Sequence, residues 1–239
     1  MALSHSPSIV TDGLVLYLDA ANRKSYPGTG TGWFDLSGRN NTGILTNSPT
    51  FSNANGGSFT FDDVDDYVQI NADPSLQITN EVTVTSVFKA NELFGNAVRL
   101  IDTNGPTTSV SGSMIALKVG TSSGSDISWF ISDGTSYYEV RKTVDVITST
   151  TIPYVVTARW RKSDGSANVF VNGIEPSYAG TTTFTGTPGI LSNPIMIAYL
   201  QGYGIYGDQV VYSTSIYNRY LSFEEIQQNF NALRGRFGI

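Results

Sequence analysis

Two groups of residues have the types and spacing for binding chemistry. The first is the acidic turn Asp62-Asp63-Val64-Asp65-Asp66. Clustered carboxylates and backbone carbonyls suit Ca²⁺, a hard cation that takes oxygen ligands. Like charges packed this closely repel, so the turn calls either for a cation or for full exposure to water. In the plainer reading the aspartates cap a tight turn. The second group is the loop Gly202-Tyr203-Gly204-Ile205-Tyr206-Gly207, with Asp208 beside it. Sugars offer apolar faces to aromatic rings and hydroxyls to carboxylates. Tyr203, Tyr206, Asp208 and Trp33 are therefore the carbohydrate-binding candidates, with Tyr26, Tyr137 and Tyr138 behind them. The same rings could instead fill a core or a subunit interface, where Tyr and Trp are also enriched.

Catalytic chemistry finds little material. Retaining glycoside hydrolysis needs two carboxyl groups about 5–5.5 Å apart. Along a strand, i and i+2 or i+4 would meet that need. Glu81, Glu92, Glu139 and Glu175 each stand without such a partner, and Glu224 and Glu225 fall in a helical pattern. His5 is the only histidine and there is no cysteine, so nucleophilic catalysis of the usual kinds lacks a base. No residue is assigned a catalytic role, and the chain reads as a non-enzyme.

These residues need a scaffold, and the pattern is that of an all-β protein. Gly13–Asp19 is an apolar run of strand length. Strands are also expected at Ser58–Phe61, Tyr67–Ile70, Val82–Phe88, Ala97–Asp102, Met114–Val119, Ile127–Ser132 and Tyr137–Lys142, the last two joined by Asp133-Gly134. Tyr154, Val156, Ala158 and Trp160 share one strand face. Asn168–Val171, Ile195–Leu200 and Gln209–Tyr212 complete the set. Between Asn22 and Asn53 the chain is turn-rich, an ordered loop with short strands in which Trp33 and Phe34 must bury. The end differs. Ser222 and Glu225 form a capping-box pair, and Ile226, Phe230 and Leu233 share a helical face. Gly235 stands where a helix stop is expected. The expected architecture is a single antiparallel β-sandwich (jelly roll) over 13–239, with one short helix at about 222–233 and an N-terminal arm over 1–12.

Bulk properties narrow the partners. At 239 residues the chain can bury a sizeable core in one domain. A net charge of −6 disfavours nucleic acid, which demands a basic patch. No stretch has the apolar length of a membrane span, and MALSHSPSIV lacks the pattern of a secretory leader. Charged residues make up only 14%, against about 25% in a typical globular domain, with Gly, Ser, Thr and Asn in their place.

Three segments together resemble the concanavalin A-like lectin/glucanase superfamily, in its laminin-G-like jelly-roll branch. They are Gly13–Asp19 with Trp33-Phe34-Asp35-Leu36-Ser37-Gly38, then Phe61-Asp62-Asp63-Val64-Asp65-Asp66-Tyr67-Val68, then Ile216-Tyr217-Asn218-Arg219 with Leu221-Ser222 and Glu225-Ile226. Val169-Phe170-Val171-Asn172-Gly173 looks like that branch's hairpin with an Asn-Gly turn. The branch usually has Gly where this chain has Asp63, and the superfamily includes calcium-binding members and hydrolases with a Glu-x-Asp-x-x-Glu cluster that this chain lacks. The tail Gln228–Ile239 resembles the ending of such domains in bacteriophage structural proteins. The resemblance implies a non-catalytic virion surface protein, a capsid decoration or a tail or fibre component. Its partners would be other virion proteins, host-surface glycan and further copies of itself, a trimer being one arrangement. A purely architectural virion protein, with Met1–Thr11 docked on a neighbour, and a polysaccharide-degrading hydrolase are the alternatives.

Overall fold

The structure is a computed structural model that describes residues 8–93, 98–103, 114–121 and 124–239. The chain begins with β1 (Leu14–Asp19), β2 (Gly32–Trp33), β3 (Gly43–Thr46), β4 (Thr50–Ser52), β5 (Ser58–Asp62) and β6 (Tyr67–Ile70). Next come β7 (Glu81–Ala90), β8 (Val98–Asp102), β9 (Ile115–Thr121), β10 (Gly124–Ser132), β11 (Tyr137–Thr143) and β12 (Tyr154–Arg161). β13 (Ala167–Val171), β14 (Tyr178–Thr181), β15 (Ile195–Ile197), β16 (Tyr199–Leu200), β17 (Ile205–Tyr206) and β18 (Asp208–Tyr217) follow, and α1 (Phe223–Arg234) closes the fold.

The strands form two large antiparallel sheets. The seven-stranded sheet runs β13-β12-β7-β18-β5-β4, with β1 also on β18. The nine-stranded sheet runs β14-β11-β10-β9-β8-β15-β6-β3-β2. β16 and β17 make a small ribbon of their own. Period-2 alternation sends one face of each strand inward. On β12 the inward residues are Tyr154, Val156, Ala158 and Trp160, as the sequence pattern predicts; on β10 they are Ile127, Trp129 and Ile131. This is the expected all-β sandwich.

β18 is the hub. Its first half pairs with β5 and its second half with β1, while β7 runs along its other side. The sequence pattern predicts only Gln209–Tyr212 here. The strand continues to Tyr217 because Ser213, Thr214 and Ser215 are also buried, so its polar stretch is not a loop. The run Ile195–Leu200 is likewise not one strand. Ala198 sits at φ +63 and breaks it into β15 and β16. Ala97 lies outside the described residues; the rest of that predicted strand is β8.

The helix forms where its cap places it. Ser222 Oγ accepts from Glu225 N at 3.3 Å, and Glu225 Oε2 accepts from Ser222 N at 2.7 Å. Ile226 is buried, and Phe230 and Leu233 pack on Val87, Val155, Val210 and Tyr212 of the seven-stranded sheet. The helix also meets the Asn172-Gly173 turn, where Gln227 Nε2 donates to the Gly173 carbonyl. Gly235 follows the last helical residue but keeps a right-handed φ of −59, so the stop is not a left-handed glycine cap. Beyond it Arg236 pairs with Asp19 at 2.8 Å. Upstream, Val10 N donates to Asn229 Oδ1 at 2.8 Å and the Tyr217 hydroxyl donates to the Val10 carbonyl at 2.9 Å. Among the described residues no helix is long and apolar enough to cross a membrane.

Candidate functional site

The acidic turn and the tyrosine loop lie far apart in the chain, yet they meet at one end of the sandwich. Asp62 ends β5 and Asp208 opens β18, and the two are register partners. Asp63 N then donates to the Gly207 carbonyl at 3.3 Å, tying the turn to the loop. Asp63 sits at φ +61, in the left-handed region where a glycine would be the easier residue. The chain therefore keeps the left-handed turn with an aspartate in it.

Asp62 organises the turn. Its Oδ1 accepts from Val64 N at 3.0 Å and from Asp65 N at 3.4 Å, an Asx-type arrangement. Asn47 Nδ2 holds the Asp65 carbonyl at 2.8 Å. Carboxylate oxygens of Asp62, Asp65 and Asp66 all lie within 4.8 Å of one another. Asp63 is not in that group. Asp66 is the buried member; burial, then the charges of Asp62 and Asp65, push its carboxyl up to about 6. Burial, then Asp208 and Asp62, push Asp63 up as well. Three crowded carboxylates, one of them buried, are a donor set that fits Ca²⁺. Asp62, Asp65 and Asp66 are the residues that would hold it.

The aromatic side is larger than the loop. Tyr199 and Tyr206 are cross-strand partners in the β16–β17 ribbon, and their rings stack 4.4 Å apart at 10°. Tyr67, directly after the acidic turn, stacks on Tyr199 at 4.9 Å and lies 6.3 Å from Tyr206. All three rings are half-buried. Burial, then Tyr206, push the Tyr199 hydroxyl up to about 12. Tyr203 stands out from this group, 58% exposed. Asp208 Oδ1 accepts from Asn91 Nδ2 at 2.6 Å, which orients the carboxylate. The sequence reading misses Tyr67 and Tyr199. Adjacency to the acidic turn signals Tyr67; nothing in the sequence signals Tyr199, whose pairing depends on the bend at Ala198.

Trp33 does not belong to this site. It is fully buried, 4.9 Å edge-on to Phe59, and no face of its ring is open to a sugar. Its neighbour Phe34, expected to bury, is 47% exposed. Tyr26 is also a core residue, and Tyr138 stacks on Phe184 at 4.5 Å. His5 lies outside the described residues. Several glutamates have structural work. Glu81 accepts from Tyr220 N, Glu175 from Asn168 Nδ2, and Glu225 caps α1 and pairs with Arg219.

A two-sheet jelly roll with a terminal helix agrees with the family comparison. Residues 61–227, more than half of the chain, match the family model described as the concanavalin A-like lectin/glucanases superfamily. The chain belongs to this superfamily. No curated protein sequence matches this lectin-like domain. Solved structures do. A botulinum neurotoxin type C structure, in which entering cells is tied to two ganglioside molecules, superposes with a TM-score of 0.68 at 14% identity, over 94% of this chain and 52% of the toxin chain. The binding domain of botulinum neurotoxin DC in complex with SialylT gives 0.68 at 14% identity, over 93% and 52%. A Trypanosoma rangeli sialidase in complex with the inhibitor DANA gives 0.64 at 18% identity, over 95% and 35%. The lectin-like domain thus spans about half the length of the toxin chains and about a third of the sialidase chain. At these identities the likeness shows the fold.

Proposed function

We propose that this domain is a non-catalytic glycan-binding module whose site is the acidic–aromatic end of the sandwich. One observation carries the reading: β5–β18 pairing joins the Asp62–Asp66 turn to a cluster of tyrosines that leaves Tyr203 exposed and an oriented Asp208 beside it. Rings supply stacking surface; Asp208 and the loop backbone accept sugar hydroxyls. Ca²⁺ on Asp62, Asp65 and Asp66 would hold the turn in one geometry, and could take sugar oxygens as further ligands. The neighbours described with ganglioside molecules or with N-acetylneuraminic acid support a glycan as the ligand class.

The setting we propose is the surface of a bacteriophage virion, next to other virion proteins and in a homo-oligomer. Support comes from the resemblance of Gln228–Ile239 to phage domain endings. Many weak sites on one particle raise avidity by about 10²–10⁴ over a single site.

A glycan array probed with purified protein, with and without Ca²⁺, tests the binding reading. The expected result is a defined set of hits weakened about tenfold by Tyr206→Ala and by Tyr203→Ala, the scale of one lost stacking contact of about 1.4 kcal/mol. No hits for the protein, or for particles carrying it, would leave the architectural role. Gold-labelled antibody on particles tests the location.

A further inference from the structure

A cleft of about 280 Å³ opens at the other end of β5 from the acidic turn. Its walls come from the turn after β1 and from the stretch between β4 and β5, and its lining includes Ala21, Arg23, Tyr26, Phe51, Asn53 and Gly56. Gly56 stands just before the first residue of β5, and Asp62 is its last. Strand rise therefore sets the cleft about 15–20 Å from the acidic turn. The volume lies at the lower edge of small-molecule sites, sized for one ring and not for a chain.

The floor is aromatic and fixed. Tyr26 is buried against Phe51 and Phe59, each with its ring centre 4.8 Å away, and its hydroxyl donates to the Gly30 carbonyl at 3.2 Å. Phe51, on the edge strand β4, is only half-buried. One wall is fixed as well. Arg236 donates to the carbonyls of Asn55 and Gly57 and pairs with Asp19 at 2.8 Å. That pair neutralises the acid that precedes the lining segment. The two segments that line the cleft, 20–28 and 51–56, hold Arg23 and Lys24 and no acid, in a chain of net charge −6. Among the described residues the Arg23 side chain is exposed and makes neither an ion pair nor a hydrogen bond. Asn53 is exposed too, and its side chain makes no cap bond to the 3₁₀ turn Ala54–Gly56 that follows it.

We infer that this cleft binds a single acidic sugar residue at the end of a glycan. Its carboxylate would lie on the Arg23 guanidinium, whose planar fork fits it with two parallel hydrogen bonds. A ring face would rest on Phe51, and Asn53, donor and acceptor in one side chain, would take a hydroxyl. Arg23 and Asn53 have no protein partner to give up, so binding breaks no bond of the free protein. A bare anion would use Arg23 alone, and a neutral sugar would leave it without a counter-charge. The sugar class rests on the glycan-binding reading; the cleft and its free cation do not, and the tyrosine end takes no part.

Amide chemical-shift titration of the whole chain tests the inference. The probes are the methyl glycosides of galacturonic acid and of N-acetylneuraminic acid, with methyl galactoside and acetate as controls. The expected result is a saturable shift of the Arg23, Gly28 and Asn53 amides by at least one acidic sugar at millimolar concentration, weakening as salt rises. Both controls should bind at least tenfold more weakly. Arg23→Gln should cost at least tenfold in affinity without moving the melting temperature, Arg23→Lys should restore part of the loss, and Tyr206→Ala should change nothing. Absence of these shifts with both acidic sugars would overturn the site, as would Arg23→Gln binding as the parent does. Acetate binding as tightly as the acidic sugars would reduce the cleft to an anion hole and overturn the sugar. If the acidic sugars shift Asp63 and Gly207 instead, they belong to the tyrosine end and only the earlier reading survives. If the array shows nothing while the cleft amides shift and saturate, only this site survives.

Discussion

Asp62 and Asp208 lie directly opposite one another where β5 meets β18. Two like charges at opposed strand positions oppose folding by a few tenths to about 1 kcal/mol. Here they sit at the one point that links the acidic turn to the tyrosine loop, with Asp66 buried next to them. The acidic end is thus held at a cost that a cation or ligand can relieve.

That cost has a pH signature. The Asp66 carboxyl is raised from 3.8 to about 6 by burial and by its acidic neighbours. A raised carboxyl binds its proton more tightly in the folded protein, so this group's contribution to stability falls as pH rises from about 4 to about 6 and stays low above. Asp66→Asn should raise the melting temperature at pH 7 and flatten its pH dependence between pH 4 and 6. Millimolar Ca²⁺ should stabilise the parent at pH 7 and have little effect on the variant. Scanning fluorimetry across pH checks both. A parent protein whose stability climbs from pH 4 to 6 more steeply than that of the variant would contradict the assignment.

The closing helix is joined to the N-terminal segment by one buried amide. Asn229 Oδ1 accepts from Val10 N, and its Nδ2 donates to the Tyr217 hydroxyl at 3.1 Å, which in turn donates to the Val10 carbonyl. Asn229→Leu strands the Val10 amide in the interior and should cost about 1–3 kcal/mol. Urea denaturation gives the size. Amide hydrogen exchange at Val10 should accelerate ahead of the sheet core.

Packing and capping of the same helix separate cleanly. Ile226→Ala should cost about 2–5 kcal/mol, because Ile226 is 1% exposed against Phe170, Tyr217 and Leu221. Ser222→Ala should cost about 1 kcal/mol through the lost cap alone. Equal losses in denaturant titrations would mean that the helix is held by its end and not by its face.

Two glycines should respond very differently to the same change. A Cβ on Gly57 would lie 2.2 Å from the Ala20 carbonyl oxygen, whereas one on Gly28 would meet nothing within 4 Å. Gly57→Ala should destabilise by more than about 3 kcal/mol or prevent folding. Gly28→Ala, at φ +104, bears only the backbone strain of about 1–3 kcal/mol. Thermal unfolding of the pair measures the difference.

What the sequence determined by itself is local. Period-2 runs such as Tyr154–Trp160 have one buried solution, so their strands and inward faces follow from the residues. Ser222 and Glu225 satisfy each other's backbone donors within one turn, so α1 could be placed without its partners. The acidic turn and the Tyr203–Asp208 loop announce themselves by composition.

What only tertiary structure decided is which of these pieces meet. The juxtaposition of Asp62 with Asp208 is a register between strands distant in sequence, and no local pattern encodes a register. The left-handed Ala198 turns one apolar run into two strands and stacks Tyr199 on Tyr206. Trp33 has the residue type for a sugar platform, but the core took it. Arg99, Lys118, Ser128 and Lys142 stand on β8, β9, β10 and β11, and they fall opposite one another only when the registers of those four strands are set. Side-chain chemistry is carried by single residues; proximity is created by pairing energies summed over whole sheets, and that sum cannot be read one segment at a time.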